Sequence, residues 1–179
     1  MKSIIFATAN AHKLEEIQAI LGDKFKITTP AKWGITEEIP ENEMTLEGNA
    51  RQKVHYIFDR TRKNCFADDT GLEVVALGGA PGVHSARYAG AAKNNEDNID
   101  LLLSRLGNMH DRRARFRTVI CLIYESTEFV FEGIVEGQIL SERQGEGGFG
   151  YDAIFMPDGY DRSFAQMSIE EKNEISHQA

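Results

Sequence analysis

The sequence has little cysteine and no long apolar run. Its only cysteines, Cys65 and Cys121, both lie in apolar segments that are typical of strands. Their spacing excludes the usual zinc-binding patterns, so buried free thiols in a reducing compartment are the simplest interpretation. No apolar run approaches the ~20 residues of a membrane span, and the opening segment 1–6 is too short for a signal peptide. We therefore expect a cytoplasmic protein with no membrane partner.

The sequence also lacks an excess of positive charge. Its formal net charge is −8, which argues against a nucleic-acid surface, because such a surface needs clustered Lys and Arg. A small anionic ligand stays compatible with this charge, since a local basic pocket can exist in an acidic protein. The length of 179 residues, with 41% hydrophobic and 27% charged residues, predicts one globular domain over 1–179. There are no internal repeats and no low-complexity linker.

Hydrophobic periodicity and turn residues predict an alternation of strands and helices. The predicted strands are residues 3–7, 25–29, 65–67, 115–125, 128–137 and 153–156, and the predicted helices are residues 11–21, 45–62, 95–106 and 168–175. The two strands at 115–125 and 128–137 are expected to form a hairpin. Ser168 and Glu171 have the spacing of a capping box at the start of the last helix.

The adjacent carboxylates Asp68 and Asp69 follow an apolar segment that we interpret as the end of a buried strand. Because neighbouring strand residues point to opposite faces, one carboxylate is expected to brace either the backbone or a basic partner while the other faces a cleft. Open α/β sheets bind ligands at the carboxyl ends of strands, where a carboxylate can hold Mg²⁺ or orient a water molecule. The alternative is a solvated Asp-Asp turn closed by Thr70 and Gly71.

Thr8, Asn10 and Lys13 lie where the first strand turns into the first helix. Free backbone N–H groups and the positive end of the helix favour an anion there, and Lys13 adds a full charge on the same side. The alternative is that Asn10 only caps the helix.

The segment 33–44 is polar and acidic, and we interpret it as a loop with solvated carboxylates; a metal contact by one of them is the minority interpretation. Lys53 lies in the middle of the following helix, which Thr45 is expected to cap. It either points toward the same cleft as Lys13 or is an exposed surface lysine.

A glycine-rich segment, 145–152, contains two aromatic residues separated by one glycine, Phe149-Gly150-Tyr151. Four glycines either bring the backbone close to a ligand or allow a sharp loop. The aromatic rings could present a flat surface to a base. Lys172 and His177 complete the candidate polar groups.

Six motifs together resemble one family, the inosine triphosphate pyrophosphatase family, over essentially the whole chain. The motifs are Thr8-Ala-Asn10-Ala-His-Lys13, Glu47-Gly-Asn49-Ala50, residues 67–72, Gly78-Gly-Ala-Pro-Gly82 with Ser85-Ala-Arg87-Tyr88, Gly148–Asp152, and Glu171-Lys172 followed by Ser176-His177. They occur in the order in which the family has them. Members of this family remove non-standard purine nucleotides such as ITP, dITP and XTP.

The resemblance implies an α/β fold with a long central mixed β-sheet flanked by helices, and two lobes with a cleft between them. It also implies a homodimer. The implied reaction is Mg²⁺-dependent hydrolysis between the α- and β-phosphates, which gives a nucleoside monophosphate and pyrophosphate and cleanses the nucleotide pool.

The resemblance also implies a role for each matched residue. Asp69 binds the metal and is the general base, and Glu41 is the second metal-binding carboxylate. The implied substrate-binding residues are Thr8, Asn10 and Lys13 at the phosphates, Lys53 near them, Thr70, the segment Phe149, Gly150, Tyr151 and Asp152 at the base, and Lys172 and His177 at the edge of the nucleobase.

One position departs from the family pattern. The family has Ser-His-Arg near its C-terminus and a further helix, whereas this sequence reads Ser176-His177-Gln178-Ala179. Either the chain is shortened or its specificity is altered. This departure keeps two alternatives open, a pyrophosphatase for other modified nucleotides and a non-catalytic nucleotide-binding protein.

Overall fold

The computed structural model describes residues 2–177. The described residues form six strands and four helices in an α/β arrangement. The strands are β1 (Lys2–Phe6), β2 (Phe25–Thr28), β3 (Cys65–Val74), β4 (Arg113–Tyr124), β5 (Thr127–Ile139) and β6 (Phe155–Pro157). The helices are α1 (Ala11–Leu21), α2 (Leu46–Thr61), α3 (Asn95–Leu106) and α4 (Ile169–Ile175).

The strands form one mixed sheet in the order β2-β1-β3-β4-β5-β6. Strand β1 pairs in parallel with both β2 and β3, whereas β5 pairs antiparallel with β6. The predicted hairpin is present, because β4 and β5 are neighbours joined by Glu125 and Ser126, both with positive φ. The α/β class with a long central mixed sheet is therefore confirmed.

The prediction that a strand ends before the Asp68–Asp69 pair is wrong. Strand β1 ends at Phe6, which pairs with Phe66 of β3, but β3 continues to Val74. Strand β4 is its other neighbour in the sheet and allows it to continue. The two carboxylates therefore lie inside a long strand, just beyond the carboxyl end of its parallel neighbour, and the alternative of a solvated turn is excluded.

The chain divides into two compact units, which we describe separately. The first unit contains Met1–Asp69 and Thr118–Glu132, and the second contains Thr70–Arg117 and Gly133–Ala179. In the first unit, the stacked rings of Phe6 and Phe66, 4.3 Å apart, pack with other buried side chains of β1 and α1. The second unit has a larger core around Leu72, Leu102 and Phe155. The assignment of 1–179 to a single domain stays a prediction.

The helix bounds agree closely with the periodicity. Helices α1 and α3 span the predicted residues, and Thr45 accepts a hydrogen bond from the Gly48 N–H as the N-cap of α2. The predicted strand 153–156 is in part wrong: a single helical turn occupies 152–154, and β6 begins at Phe155. Within residues 2–177, no helix has both the length and the apolar character to cross a membrane.

Candidate active site

The turn between β1 and α1 is built by three hydrogen bonds to the side chains of Thr8 and Asn10. Thr8 Oγ1 accepts from the Asn10 N–H (3.1 Å), and Asn10 Oδ1 accepts from the N–H groups of His12 (3.0 Å) and Lys13 (3.2 Å). Asn10 is therefore the N-cap of α1, as the more conservative interpretation of this motif proposed. The backbone N–H groups of His12 and Lys13 are thus engaged by the cap.

Asp68 and Lys13 form an ion pair in the first unit. Lys13 Nζ lies 3.0 Å from Asp68 Oδ2, and the Asp68 side chain is 2% exposed. Burial lowers the pKa of Lys13, but the charge and hydrogen bond of Asp68, together with the charges of Asp69 and Glu41, raise it by more, so the net pKa lies above the ordinary value. The expectation that one member of the carboxylate pair braces a basic partner is met by Asp68.

A side chain of α2 orients the Asp69 carboxylate through a hydrogen bond. The Asn49 side-chain amide donates to Asp69 Oδ2 (2.9 Å), and Asn49 Oδ1 accepts from the Glu43 N–H (2.8 Å). Burial raises the pKa of Asp69 above its usual range, while the charge of Lys53, the Asn49 hydrogen bond and the charge of Lys13 lower it in part. The carboxylate is thus oriented by an amide and lies close to two lysines.

Glu41 and Lys53 form a second ion pair in the first unit, with 3.1 Å between Glu41 Oε2 and Lys53 Nζ. Lys53 is 8% exposed, so the alternative of an exposed surface lysine is wrong. The interpretation of the acidic loop as fully solvated is also wrong for Glu41. Asn49 and Gln52 bind the backbone of Glu43 and Asn42, and these contacts hold the loop against α2.

The carboxylates of Asp69 and Glu41 are suited to a hard cation that takes few ligands from the protein. Among residues 2–177, no three His, Cys, Asp or Glu side chains come together as a metal cage. Two carboxylates act on the same lysine, because Glu41 pairs with Lys53, and burial raises the pKa of Asp69 while the charge of Lys53 lowers it in part. Mg²⁺ is commonly bound by one or two carboxylates, with water and substrate phosphates completing its shell. The donor set of Asp69 and Glu41 fits that mode.

The second unit contains a compact group around Asp152. Asp152 Oδ2 accepts from Lys172 Nζ (2.7 Å) and from the Phe149 N–H (3.0 Å), and both charged side chains are 5% exposed. Lys172 Nζ also lies 4.5 Å from the centroid of the Phe149 ring. Gly148 has φ +69°, and a Cβ atom there would collide with the Asp152 carboxylate. A glycine is therefore required for this close approach.

His177 joins this group through an aromatic contact, and Tyr151, which is 5% exposed, packs in the core of the second unit. The His177 ring stacks on Phe116, with centroids 4.8 Å apart, and Phe116 contacts Phe164, over which Lys172 also lies. Among the remaining predicted residues, Gly150 is half-buried with φ +56°, and Thr70 is half-buried in β3. The departure at Gln178 lies outside the described residues.

Sequence reasoning missed several polar residues that hold these groups. Asn49 belongs to a motif that we recognised without assigning it a role. Asn98 lies one helical turn before Leu102, on the apolar stripe of α3, and is 2% exposed. A polar residue on a core stripe is the signal that could have identified it, because a buried amide needs partners.

Comparisons with known proteins place the chain among α/β proteins of known structure. The Ham1 protein of Staphylococcus aureus has a TM-score of 0.88 with 39% identity, covering 99% of this chain and 92% of that one. A HAM1 protein from Coxiella burnetii has a TM-score of 0.89 with 35% identity, covering 99% of this chain and 93% of that one.

A family model and sequence relatives give the same answer. The model of the Ham1 family matches residues 4–179. A relative from Porphyromonas gingivalis, named dITP/XTP pyrophosphatase, is 52% identical over 100% of this chain and 93% of its own length. A relative of the same name from Flavobacterium psychrophilum is 48% identical over 97% of this chain and 92% of its own length. The chain belongs to the Ham1 family, and the resemblance stated from the motifs is confirmed.

Proposed function

We propose that this chain is a nucleoside triphosphate pyrophosphatase that hydrolyses ITP, dITP and XTP to the nucleoside monophosphate and pyrophosphate. Family membership and the names of the relatives support the reaction and the substrates. The observation that carries the proposal is the setting of Asp69, a half-buried carboxylate held by Asn49 and close to Lys53 and Lys13. An oriented carboxylate beside positive charge is suited to removing a proton from water next to phosphates.

In the proposed mechanism, Asp69 accepts the proton of the attacking water. Its Oδ2 atom is bonded by the Asn49 amide, so we assign the proton to Oδ1. The Asn49 hydrogen bond fixes the orientation of the carboxylate, and a positioned carboxylate is suited to proton transfer from a bound water. Negative charge grows on the phosphate oxygens as the anhydride breaks, and Lys13, Lys53 and the positive N-terminal end of α1 offset it. Thr8, Asn10 and Thr70 complete the proposed contacts to the phosphates.

We further propose that the reaction requires Mg²⁺, held by Asp69 and Glu41. Bound Mg²⁺ would neutralise charge on the phosphate oxygens. We expect Glu41→Gln to raise the Mg²⁺ concentration at half-maximal rate by about ten-fold, because Mg²⁺ would lose one of its two proposed protein ligands. Glu43→Gln, an exposed neighbour in the same loop, is the control. Equal Mg²⁺ dependence of the two variants would remove Glu41 from the proposed metal site.

We propose that the Asp152 group recognises the base. Lys172 can only donate hydrogen bonds, and it is fixed by Asp152 next to the half-buried Phe149 ring. A donor directed at position 6 of a purine favours the 6-oxo group of hypoxanthine or xanthine and leaves the 6-amino group of adenine facing another donor. Phe149 would pack on the base, and Gly150 would let the backbone approach it. His177 would lie at the edge of the base.

A substrate panel tests this function. We would incubate the protein with Mg²⁺ and ITP, dITP, XTP, GTP or ATP, and separate monophosphate, diphosphate and pyrophosphate by anion-exchange chromatography. We expect kcat/KM for ITP, dITP and XTP to exceed that for ATP by at least roughly 100-fold, which is the discrimination expected of a site that hydrogen-bonds a substrate group. Release of orthophosphate with a diphosphate, or no turnover of any nucleotide, would overturn the proposal.

The resemblance also supports a homodimer. We propose that two copies of this chain associate in solution. Sedimentation velocity at micromolar concentration should give twice the mass of the 20.0 kDa chain. A single monomeric species at that concentration would contradict this expectation.

A further inference from the structure

Tyr151 is anchored by its hydroxyl group instead of presenting its ring. It lies in the segment Gly148–Asp152, which we call the base segment. Its Oη atom donates a 2.7 Å hydrogen bond to the backbone carbonyl of Ser85, and the side chain is 5% exposed. Burial raises the pKa of Tyr151, so the phenol stays protonated and remains a donor at physiological pH. The base segment is thereby bonded to a part of the second unit that lies far from it in the sequence.

The acceptor belongs to a turn that is itself fixed on β3. Ser85 lies in the short helical turn Gly82–Arg87 and is 7% exposed. Its Oγ atom accepts from the Leu72 N–H (2.9 Å) and donates to the Gly82 carbonyl (2.6 Å). Gly71 allows this contact, since a Cβ atom there would lie 2.6 Å from the Gly82 oxygen. The turn is therefore bonded directly to β3.

Asn98 secures the same turn from α3. Its Nδ2 atom donates to the carbonyl of Ala86 (2.9 Å) and more weakly to that of Ser85 (3.4 Å), and its Oδ1 atom accepts from the Ala89 N–H (2.7 Å). A buried amide costs stability unless its hydrogen bonds are made, and here both ends are engaged. Asn98 and Tyr151 thus share one acceptor, the Ser85 carbonyl.

We propose that Tyr151 and Asn98 are positioning residues for base recognition, which act by fixing the base segment to the Ser85 turn. The inference rests on the proposed function, because it concerns how the groups that would contact the base are held. Asp152 follows Tyr151 directly and bonds Lys172 and the Phe149 N–H. A small displacement of the segment would therefore move the proposed donor and the proposed stacking ring together, and recognition geometry tolerates little displacement.

Tyr151→Phe tests the anchor by removing one oxygen atom. We expect KM for dITP and XTP to rise roughly five-fold, which is within the range for loss of one hydrogen bond, while kcat changes less than about two-fold. The preference for dITP over dATP should fall by a similar factor. Tyr160→Phe, which removes a hydroxyl from a 38% exposed side chain of the same unit, is the matched control and should leave both constants unchanged.

A double-mutant cycle tests whether Asn98 acts through the same anchor. Asn98→Ala should raise KM, and combining it with Tyr151→Phe should raise KM little beyond the larger single effect, because both act on one turn. Asn94→Ala is the stability control, because it removes the N-cap of the same helix without touching the turn. If Asn94→Ala raised KM as much as Asn98→Ala, or if the two KM effects multiplied, the positioning role of Asn98 would be wrong.

Binding of inosine monophosphate, measured by calorimetry, gives a readout that does not depend on turnover. We expect Tyr151→Phe to weaken this binding roughly five-fold, like its effect on KM. If a folded Tyr151→Phe protein kept wild-type affinity and wild-type KM, the positioning role of Tyr151 would be wrong, and the proposed function would be unaffected. If the wild type releases no pyrophosphate from any nucleotide, the proposed function fails instead, so the two failures are distinguishable.

Discussion

At the scale of single residues, the adjacent carboxylates of β3 have different partners because they point to opposite faces of the sheet. Asp68 pairs with Lys13 of α1, and Asp69 bonds Asn49 of α2. The alternation of side chains along a strand is enough to predict this division. It does not predict which carboxylate is fully buried, since that depends on the helices that pack on each face. The Asp68–Lys13 pair makes a direct test of the buried member possible.

We predict that Asp68→Asn destabilises the protein by about 3 kcal/mol, because it leaves the Lys13 ammonium without its buried counter-charge. Urea unfolding at pH 7 measures the change in the free energy of unfolding. Glu47→Gln breaks the exposed pair of Glu47 with Arg51 and should cost less than about 0.5 kcal/mol. Similar losses for the two variants would show that the Asp68 pair is not a buried interaction.

The two thiols give a pH-dependent prediction at the same scale. Burial raises the pKa of Cys65 to about 12 and that of Cys121 to about 11. Their contribution to stability is therefore complete below the ordinary thiol pKa of about 8.5 and is lost as pH rises from there through the folded values. At pH 8, we expect a disulfide reagent to modify neither thiol in the native protein and both in urea. Rapid native-state modification would contradict the burial of both side chains.

At the scale of elements, the turn from β1 into α1 serves helix formation and lies at the proposed phosphate site. Asn10 is the N-cap of α1, and Asn94 is the N-cap of α3. The two caps are chemically alike but only the first lies among the proposed phosphate-binding residues. Comparing them separates a cap from a binding residue.

We predict that Asn10→Ala and Asn94→Ala each destabilise the protein by about 1 kcal/mol, which is typical for loss of an N-cap. Only Asn10→Ala should also raise KM for dITP, because the α1 turn would then be less ordered where the phosphates bind. Thermal unfolding and steady-state kinetics on the same samples measure both quantities. An equal rise in KM for the two variants would reduce Asn10 to a structural cap.

The limits of sequence reasoning are clearest for the same elements. Periodicity, N-cap residues and glycine stops located α1 and α3 because these signals are local. The same local signals placed the end of a strand before Asp68. Strand β3 in fact continues, because it also pairs with β4, a strand that comes much later in the chain. Tertiary contacts likewise bury Lys53 against Glu41 and Asn98 against the Ser85 turn. Such contacts join residues that no short motif connects.

At the scale of the whole molecule, a chain of net charge −8 is proposed to bind a polyanion. In the first unit, Lys13 and Lys53 lie close to Asp69, and each also pairs with a carboxylate, Lys13 with Asp68 and Lys53 with Glu41. A phosphate bound there would meet these lysines at short range, so we expect direct contacts to matter more than the net charge of the whole chain. Screening by salt reinforces this, because distant surface charges act weakly beyond the Debye length of about 8 Å.

The measurement that tests the account most directly is pyrophosphate release from dITP with saturating Mg²⁺ by wild type and Asp69→Asn. The account predicts that the wild type releases pyrophosphate and that Asp69→Asn lowers kcat by about 1,000-fold, because the amide cannot accept the water proton. Asn94→Ala, which removes the N-cap of α3 and none of the proposed site residues, should keep wild-type kcat. A folded Asp69→Asn protein with kcat within about three-fold of wild type would contradict the assignment of Asp69 as the general base.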